Sequence, residues 1–421
     1  MKKKKKGFEF WYLLALGVTG LIAVYYGLFV AKQPIDYKAL IQESLPSATS
    51  VERVIGTKPV FEIQTPEGQY LAVIDSEYGY ESTIEVLTIV NPQGILHGII
   101  ITKEAETPDF FERLHTKNFF SRFDDLSLHE PIYVGLAPRY TGYVGNIKTD
   151  NYVDVISGST VSSHAIASAV NKGVLYLAES YFDTSWHNPF EVIRFDEKTL
   201  GMIILYLIAL AAMWVKPLAR FKFVFLLASI VLLGFMISQF ITASLLFSLL
   251  QLEIPRYTNV IWYVMVFGSL AFIVFLGRNL YCSWLCPFGA LQECLHKVTK
   301  FNPPGINPKV TKKLRLLPAT LLWIAIILGT WHGNYATLNY QPFEAFFILS
   351  ASWMMWIIMP TLLVVSLFYT RFFCTYLCPV GYVLNLVNRW RNKGVRRCKK
   401  WIKPQILWQK IKSRKEDPVT D

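Results

Sequence analysis

Two short strings in the second half of the chain hold the residue types best suited to chemistry: Cys282-Ser-Trp-Leu-Cys286-Pro-Phe-Gly and Cys374-Thr-Tyr-Leu-Cys378-Pro-Val-Gly. Cysteines four apart project from one face of a helix, so each string offers two thiolates to one centre. The proline after the second cysteine keeps that residue out of the α region and starts a new helix, leaving the sulfurs beside free backbone amides. Such amides stabilise the negative charge of an iron–sulfur cluster, and four cysteines suit either a cluster or a zinc ion. Free cysteine is also an ordinary small apolar residue, but one pattern repeated at equivalent helix ends is hard to obtain from packing alone. Cys282, Cys286, Cys374 and Cys378 are therefore the expected ligands of a shared centre, with iron–sulfur the first reading and zinc the second. Cys294 and Cys398 lack a partner at ligand spacing and are expected to be structural.

A third string, Asp154-Val-Ile-Ser157-Gly158-Ser159-Thr160-Val-Ser162-Ser163, joins an apolar strand to a segment, Val161–Glu179, with the apolar spacing of an amphipathic helix. A Gly/Ser/Thr turn opening a helix presents amides and hydroxyls to an anion, and phosphate is the natural guest. The plainer reading is a helix cap, with Thr160 and Ser162 available for it.

The elements that must position these strings follow from composition. Of 421 residues, 53% are hydrophobic and 17% charged, against about 25% charged in an average globular domain, so much of the chain is expected to meet lipid. A disordered or purely cytosolic protein is excluded. The net charge of +12 divides unevenly, with 13 Lys and Arg against 23 Asp and Glu between Lys32 and Lys198, and 29 against 7 elsewhere. That asymmetry reads as membrane topology rather than a nucleic-acid surface.

Phe10–Ala31, directly after Lys2–Lys6, is long enough to span and too long for a signal-peptide core. Further apolar spans are expected at Leu200–Val215, Phe223–Leu250, Val260–Leu276, Leu316–Trp331 and Phe346–Tyr369. Lys216–Lys222, Arg278–Arg315 and the chain after Arg371 are basic, which places them and both termini in the cytoplasm. Each cysteine string then ends an inward-going helix, with Arg278 or Arg371 just before it. Phe223–Leu250 exceeds the length of one span and carries Gln239 near its middle, leaving a tilt or a break open. The outer region alternates short apolar runs with turns, as in Phe61-Glu-Ile-Gln-Thr-Pro-Glu-Gly, and reads as a compact α+β domain of hairpin strands. The expected divisions are 1–31 (basic N-terminus and first helix), 32–198 (outer domain), 199–389 (five-helix core with the cysteine strings) and 390–421 (basic tail).

The string ending at Thr160 resembles the Asp-x-x-Ser-Gly-Ala-Thr signature of the FMN-binding domain family, in which a flavin transferase joins the FMN phosphate to the last threonine. The resemblance implies Thr160 as the attachment residue and Asp154, Ser157, Gly158 and Ser159 as its motif partners, Ser159 standing where alanine is usual. Gly79-Tyr80-Glu81-Ser82-Thr83-Ile84 is similar to that family's Gly-Tyr-Gly-Gly-Pro-Ile, and Glu106-Thr107-Pro108 to its Glu-Thr-Pro element. Tyr80, Glu106 and Thr107 are thereby implied at the flavin, with the accompanying glycines replaced. Together the two halves resemble the NosR/NirI type of membrane flavoprotein over about Asp75 to Arg389. Longer members continue into a ferredoxin, and its absence before Asp421 is similar to the shorter branch found beside reductive dehalogenases.

The resulting fold expectation is an α-helical membrane protein of six transmembrane helices with an extracytoplasmic α+β FMN-binding domain, in the cytoplasmic membrane. The function expected is electron transfer between a cytoplasmic-side cysteine-ligated iron–sulfur centre and an outer covalent FMN. An extracytoplasmic respiratory reductase would be served, from a cytoplasmic donor or membrane quinol. Roughly 30 Å of hydrocarbon separates such centres, which calls for a quinone or second flavin between them, or for a moving outer domain. The alternative is a membrane-bound redox-sensing regulator or maturation factor, although no DNA-binding or kinase signature accompanies it. An ion pump lacks the mid-span charge it would need. His296 and His332 fall at opposite faces, against a bis-histidine haem, and no carboxylate pair or nucleophile–histidine arrangement marks a stand-alone enzyme.

Overall fold

A computed structural model describes residues 2–29, 35–135, 151–191, 195, 197–215, 218, 220–251, 253–257, 259–299, 307–332, 340–349 and 353–396. Cys398 and the chain after residue 396 lie outside the described residues, as does the side chain of His332. In chain order the elements are α1 (Lys2–Phe29), α2 (Tyr37–Ser44), β1 (Ser50–Val54), β2 (Val60–Thr65), β3 (Gly68–Tyr78), β4 (Thr83–Val90), β5 (Leu96–Lys103), α3 (Pro108–Thr116), β6 (Tyr133–Gly135), β7 (Tyr152–Asp154) and α4 (Thr160–Tyr181). Then come α5 (Glu197–Ala211), α6 (Lys222–Ser229), α7 (Ala243–Leu250), α8 (Val260–Ala271), α9 (Pro287–Thr299), α10 (Pro308–Leu314), α11 (Leu317–His332), α12 (Phe343–Phe347), α13 (Trp353–Phe368), α14 (Phe372–Tyr376) and α15 (379–396). The chain divides into two units. One holds Met1–Asp196, Phe240–Val260 and Ala319–Thr361, and the other holds Glu197–Gln239, Ile261–Pro318 and Leu362–Asp421.

The first unit contains the expected α+β domain. Strands β1 to β5 form an antiparallel meander in sequence order, each joined to the next by a short turn. Both faces of the sheet are apolar, so alternate residues of β3 serve two cores. Leu71 and Val73 face α4 with Ile84, Val86 and Val90, while Ala72 and Ile74 join Phe61, Ile63 and Leu87 against Ile41 and Leu45. Burying one such side chain contributes about 1.5–3 kcal/mol, which fixes the register, because a one-residue slip would exchange the two faces. Helix α4 approaches the sheet closely: a Cβ at Gly173 would sit 2.9 Å from Val73 Cγ1. Helix α2 is started by Asp36, whose carboxylate accepts from the amides of Lys38 (3.1 Å) and Ala39 (3.2 Å).

The apolar segments depart from the simplest six-span expectation. Among the described residues one helix, Pro308–Trp331, is long and apolar enough to cross a membrane, and four shorter apolar helices occupy Trp11–Gly27, Lys222–Ile237, Val260–Leu276 and Trp353–Phe368. The long segment Phe223–Leu250 breaks. Helix α6 continues as a π-helical stretch to Ile237 and ends at Ser238, which is left-handed at φ +54, and α7 begins after Thr242. Polar side chains make the break possible by taking up freed backbone groups. The Ser238 hydroxyl donates to the Gly234 carbonyl (3.0 Å), and Thr242 Oγ1 accepts from the Leu245 amide (3.1 Å).

Candidate redox sites

In each cysteine string the first cysteine lies in a short helical turn and the second at its end. Cys286 has φ −61 and ψ 114, the extended conformation that a following proline demands. Pro287 then opens α9, and Pro379 opens α15. The first-turn amides of each new helix have no partner within the helix, and they turn to the sulfur. Those of Gly289 and Phe288 donate to Cys286, and that of Gly381 to Cys378 Sγ at 3.3 Å. A glycine stands three residues after each second cysteine, against a cysteine carbonyl and a cysteine sulfur. A Cβ at Gly289 would lie 3.4 Å from the Cys282 carbonyl and 3.5 Å from Cys374 Sγ, and one at Gly381 would lie 3.2 Å from the Cys374 carbonyl and 3.6 Å from Cys378 Sγ. The sequence displayed this repeated glycine, but its purpose is visible only in the packing.

The two copies converge. Burial, then the neighbouring Cys286, pushes the Cys282 thiol up to about 12, and Cys378 is raised by burial and by Cys374, Cys282 and Cys286 together. Four thiols that oppose one another's ionisation call for a bound cation to hold them as thiolates. Among the described residues no group of three or more His, Cys, Asp or Glu is spaced to share one metal ion. The donor set, the amides aimed at sulfur and the glycine cradle fit an iron–sulfur cluster.

Side chains beyond the four cysteines bind the two copies together. Gln292, fully buried, donates to Cys374 Sγ (3.3 Å) and accepts from the Phe373 amide (3.1 Å) and the Ser366 hydroxyl (3.3 Å). Arg371 donates to the carbonyls of Cys282 and Ser283 and pairs with Glu293, which also takes Lys222 at 2.7 Å. Burial pushes the Glu293 carboxyl up, but these two cations outweigh it and leave the group lowered. An equivalent tie crosses between the other halves of the repeat: Asn279, which accepts from the Cys282 amide, donates to Asn385 at 3.2 Å. Arg371 and Asn279 each stand three residues before a first cysteine, and Glu293 and Asn385 each seven after a second. The counterpart of Arg371 is therefore Asn279 rather than the adjacent Arg278. Cys294 is buried, and its thiol responds to Glu293, Lys297, Arg371 and Lys222 rather than to the four expected ligands.

In the other unit, β7 leads into the Ser/Gly/Ser/Thr turn. Gly158 takes φ +85, a conformation that suits glycine, and the Arg113 guanidinium fills the space a Cβ would need there. The N-cap of α4 is Ser159, whereas Thr160 and Ser162 lie inside the helix. Its hydroxyl donates to the Phe110 carbonyl at 2.6 Å instead of capping the helix. Thr160 is the exposed first residue of α4, Ser157 is exposed beside it, and the carbonyl of exposed Asp154 accepts from Arg122 at 2.9 Å. A helix N-terminus with Arg113 at its turn suits a phosphate, and Thr160 offers the hydroxyl to esterify. Neither arginine carries a sequence signal.

Tyr80, Glu106 and Thr107 cluster behind this turn. Glu106 is fully buried and accepts from the amides of Tyr80, Glu81 and Ser82, each at 3.0 Å, and from the Ser162 hydroxyl at 2.6 Å. Those bonds hold the β3–β4 turn to the start of α4, so Glu106 acts by positioning. Gly79 must be glycine because a Cβ would fall 2.6 Å from Glu106 Oε1. The Tyr80 ring meets Phe110 edge-on at 5.7 Å, and Thr107 faces Glu81.

Comparison with known proteins agrees with this division. Residues 79–174 match the FMN-binding domain family, and residues 258–304 and 351–398 match a 4Fe-4S binding domain, one stretch around each cysteine string. Relatives include the regulatory protein NosR of Pseudomonas aeruginosa, 31% identical over 27% of this chain and 17% of that protein. Protein NirI of Paracoccus denitrificans is 28% identical over 29% of this chain and 18% of its own. The methylamine utilization ferredoxin-type protein MauN of Methylobacillus flagellatus is 28% identical over 28% of this chain and 42% of its own. The match thus spans less than a fifth of the NosR and NirI chains. With an FMN-binding domain and paired 4Fe-4S motifs on one polypeptide, the chain is similar to the NosR/NirI type of FMN-binding protein with ferredoxin-like motifs.

Proposed function

We propose that this protein carries electrons across the cytoplasmic membrane, between an iron–sulfur centre held by Cys282, Cys286, Cys374 and Cys378 on the cytoplasmic side and FMN esterified to Thr160 outside. The single observation that carries the reading is the convergence of both cysteine strings on one pocket whose amides and Gln292 donate to sulfur. When bound, a cluster exchanges single electrons and FMN one or two, so the pair links one-electron and two-electron chemistry. The protein's part is to hold the sulfurs charged with N–H donors and Arg371, and to present Thr160 where a flavin transferase reaches it.

Six crossings with both termini inside follow from the basic flanks. A membrane quinone is the carrier that bridges the hydrocarbon, with a cytoplasmic donor or quinol as source and an extracytoplasmic reductase as recipient. Visible and EPR spectra before and after reduction test the reading: a reducible cluster and a flavin that survives denaturation are expected, and zinc with extractable flavin would reject it. The second reading, a redox-sensing regulator or maturation factor, draws on the name "regulatory protein" borne by NosR. It predicts slow, substoichiometric electron flow with both cofactors in place.

A further inference from the structure

Glu81 occupies a place that no step above uses. It stands where the similar family pattern has a glycine, in the turn between β3 and β4, and only 1% of it is exposed. The turn is clamped from two sides. The Glu81 carbonyl accepts from the Ser248 hydroxyl of α7 (2.7 Å) and from the Tyr78 hydroxyl (2.9 Å), while its amide donates to Glu106 (3.0 Å). Its carboxyl group is thereby carried to the N-terminus of α7, just past the break at Ser238, beside the hydroxyls of Ser244, Thr242 and Thr107, which favour its charged form. Burial, partly offset by the Ser244 bond and reinforced by Glu106, pushes Glu81 from its ordinary 4.5 to about 7.

A carboxyl group enclosed in this way is half-charged in the neutral range, so a small change of local field moves its proton. The turn is tied to the expected flavin helix by two hydrogen bonds in series. Glu81 N–H reaches Glu106 Oε1, and Glu106 Oε2 receives the hydroxyl of Ser162, two residues from Thr160. Charge added near Thr160 acts on Glu81 through a buried, poorly screened region. The other charged groups around the cluster are Glu104, which accepts from the Glu106 amide at 2.8 Å, and Glu253, which accepts from the Thr83 amide while paired with Lys103 at 2.6 Å. Lys172 pairs with Glu77 further along β3, and the neighbouring surfaces of α1 and α11 supply apolar Val24 and Ile326.

We propose that Glu81 is the proton-holding group of the flavin domain: as an electron reaches the flavin, its carboxylate takes one proton from water, and on reoxidation it returns it. The electron comes from the cysteine centre; the O–H bond formed on Glu81 replaces one broken in water, the hydroxide left is taken up by the buffer, and the proton balances the charge added. The proposal rests on FMN being carried at Thr160. It also gives a purpose to a carboxylate where the family pattern has a small residue.

The test uses full-length, flavin-loaded protein in weak buffer, with proton uptake on reduction read by a pH indicator and infrared difference spectra recorded in parallel. Wild type should take up more protons per flavin than Glu81→Gln, by an amount approaching one above pH 7 and vanishing as the pH falls well below 7. A carboxylic-acid band should grow on reduction in wild type and be absent from the variant. Ser244→Ala, which removes a donor to the charged form, should move the uptake profile to higher pH while leaving its total. Equal uptake in wild type and Glu81→Gln at every pH, or a profile unmoved by Ser244→Ala, overturns the proposal. Flavin retained in the denatured protein keeps the FMN reading intact in that case, whereas its absence from wild type rejects that reading and this one together.

Discussion

At the cysteine centre, Cys378 is buried and Cys282, Cys286 and Cys374 are half-buried, among neighbours that donate to sulfur or press against it. At the flavin turn, the expected attachment oxygen of Thr160 stands on the surface with two arginines nearby. The difference follows from how each cofactor arrives. A cluster assembles from ions and needs a complete, charge-balanced cavity, so the fold fixes Gly289, Gly381, Gln292 and Arg371 around the site. A flavin joined to Thr160 by another protein, as proposed, would need an exposed acceptor hydroxyl, and there the fold supplies a shaped turn and a helix N-terminus.

The sharpest way to break this comparison is to remove one sulfur. Cys282→Ser, Cys286→Ser, Cys374→Ser and Cys378→Ser should each abolish iron and sulfide content, while Cys294→Ser keeps both, as chemical analysis of the purified proteins would show. If Cys374→Ser retained full metal, the two strings would not share a centre. On the flavin side, Thr160→Ala should lose all acid-stable fluorescence yet keep the iron, so the two sites fail independently. Gly158→Ala forces φ +85 on a residue with a side chain and displaces Arg113; it should cost about 1–3 kcal/mol of domain stability and lower flavin attachment, measured by melting and in-gel fluorescence.

Much of this was legible in the sequence, and what escaped has a common physical cause. Repetition revealed the four cysteines, because two matching strings at helix ends need no structure to be noticed. Hairpin strands were readable from alternation and turns, as at β2 and β4, and α4 from its apolar period, whereas the number and order of the strands were not. The exact span pattern was not, because Ser238 and Thr242 end helices inside a segment that hydropathy alone reads as continuous. The residues that tune the sites were hidden for another reason. Gln292, Arg371 and Arg113 act across the fold on partners far away in the chain, so the place of Arg371 just before its string does not reveal its role. The matched ties Arg371–Glu293 and Asn279–Asn385 emerge only when the two halves are laid over one another.

Smaller perturbations sharpen the contrast. Gln292→Leu removes the donor to Cys374 and leaves the Phe373 amide unsatisfied, so it should cost about 1–3 kcal/mol and lower the reduction potential while iron content stays whole. The mirrored change Leu384→Gln, at the equivalent position of the second string, should alter potential little. Glu81 sets the pH response of the flavin domain. Its pKa is raised on folding from 4.5 to about 7, so its contribution is fully present below 4.5 and is lost as pH rises through 7. Relative to Glu81→Gln, the wild-type unfolding temperature should therefore fall across that window, and a constant difference would contradict the assignment.

Electron passage between the two regions is the central claim, and proteoliposomes test it directly. A membrane-impermeant reductant is confined to the face bearing the cysteine strings, a quinone is present in the lipid, and the absorbance of the flavin on the other face is followed. Bleaching that depends on all four cysteines, and persists in Cys294→Ser, is the predicted result. Flavin that stays oxidised in wild type, or bleaches equally fast in Cys374→Ser, would contradict the account.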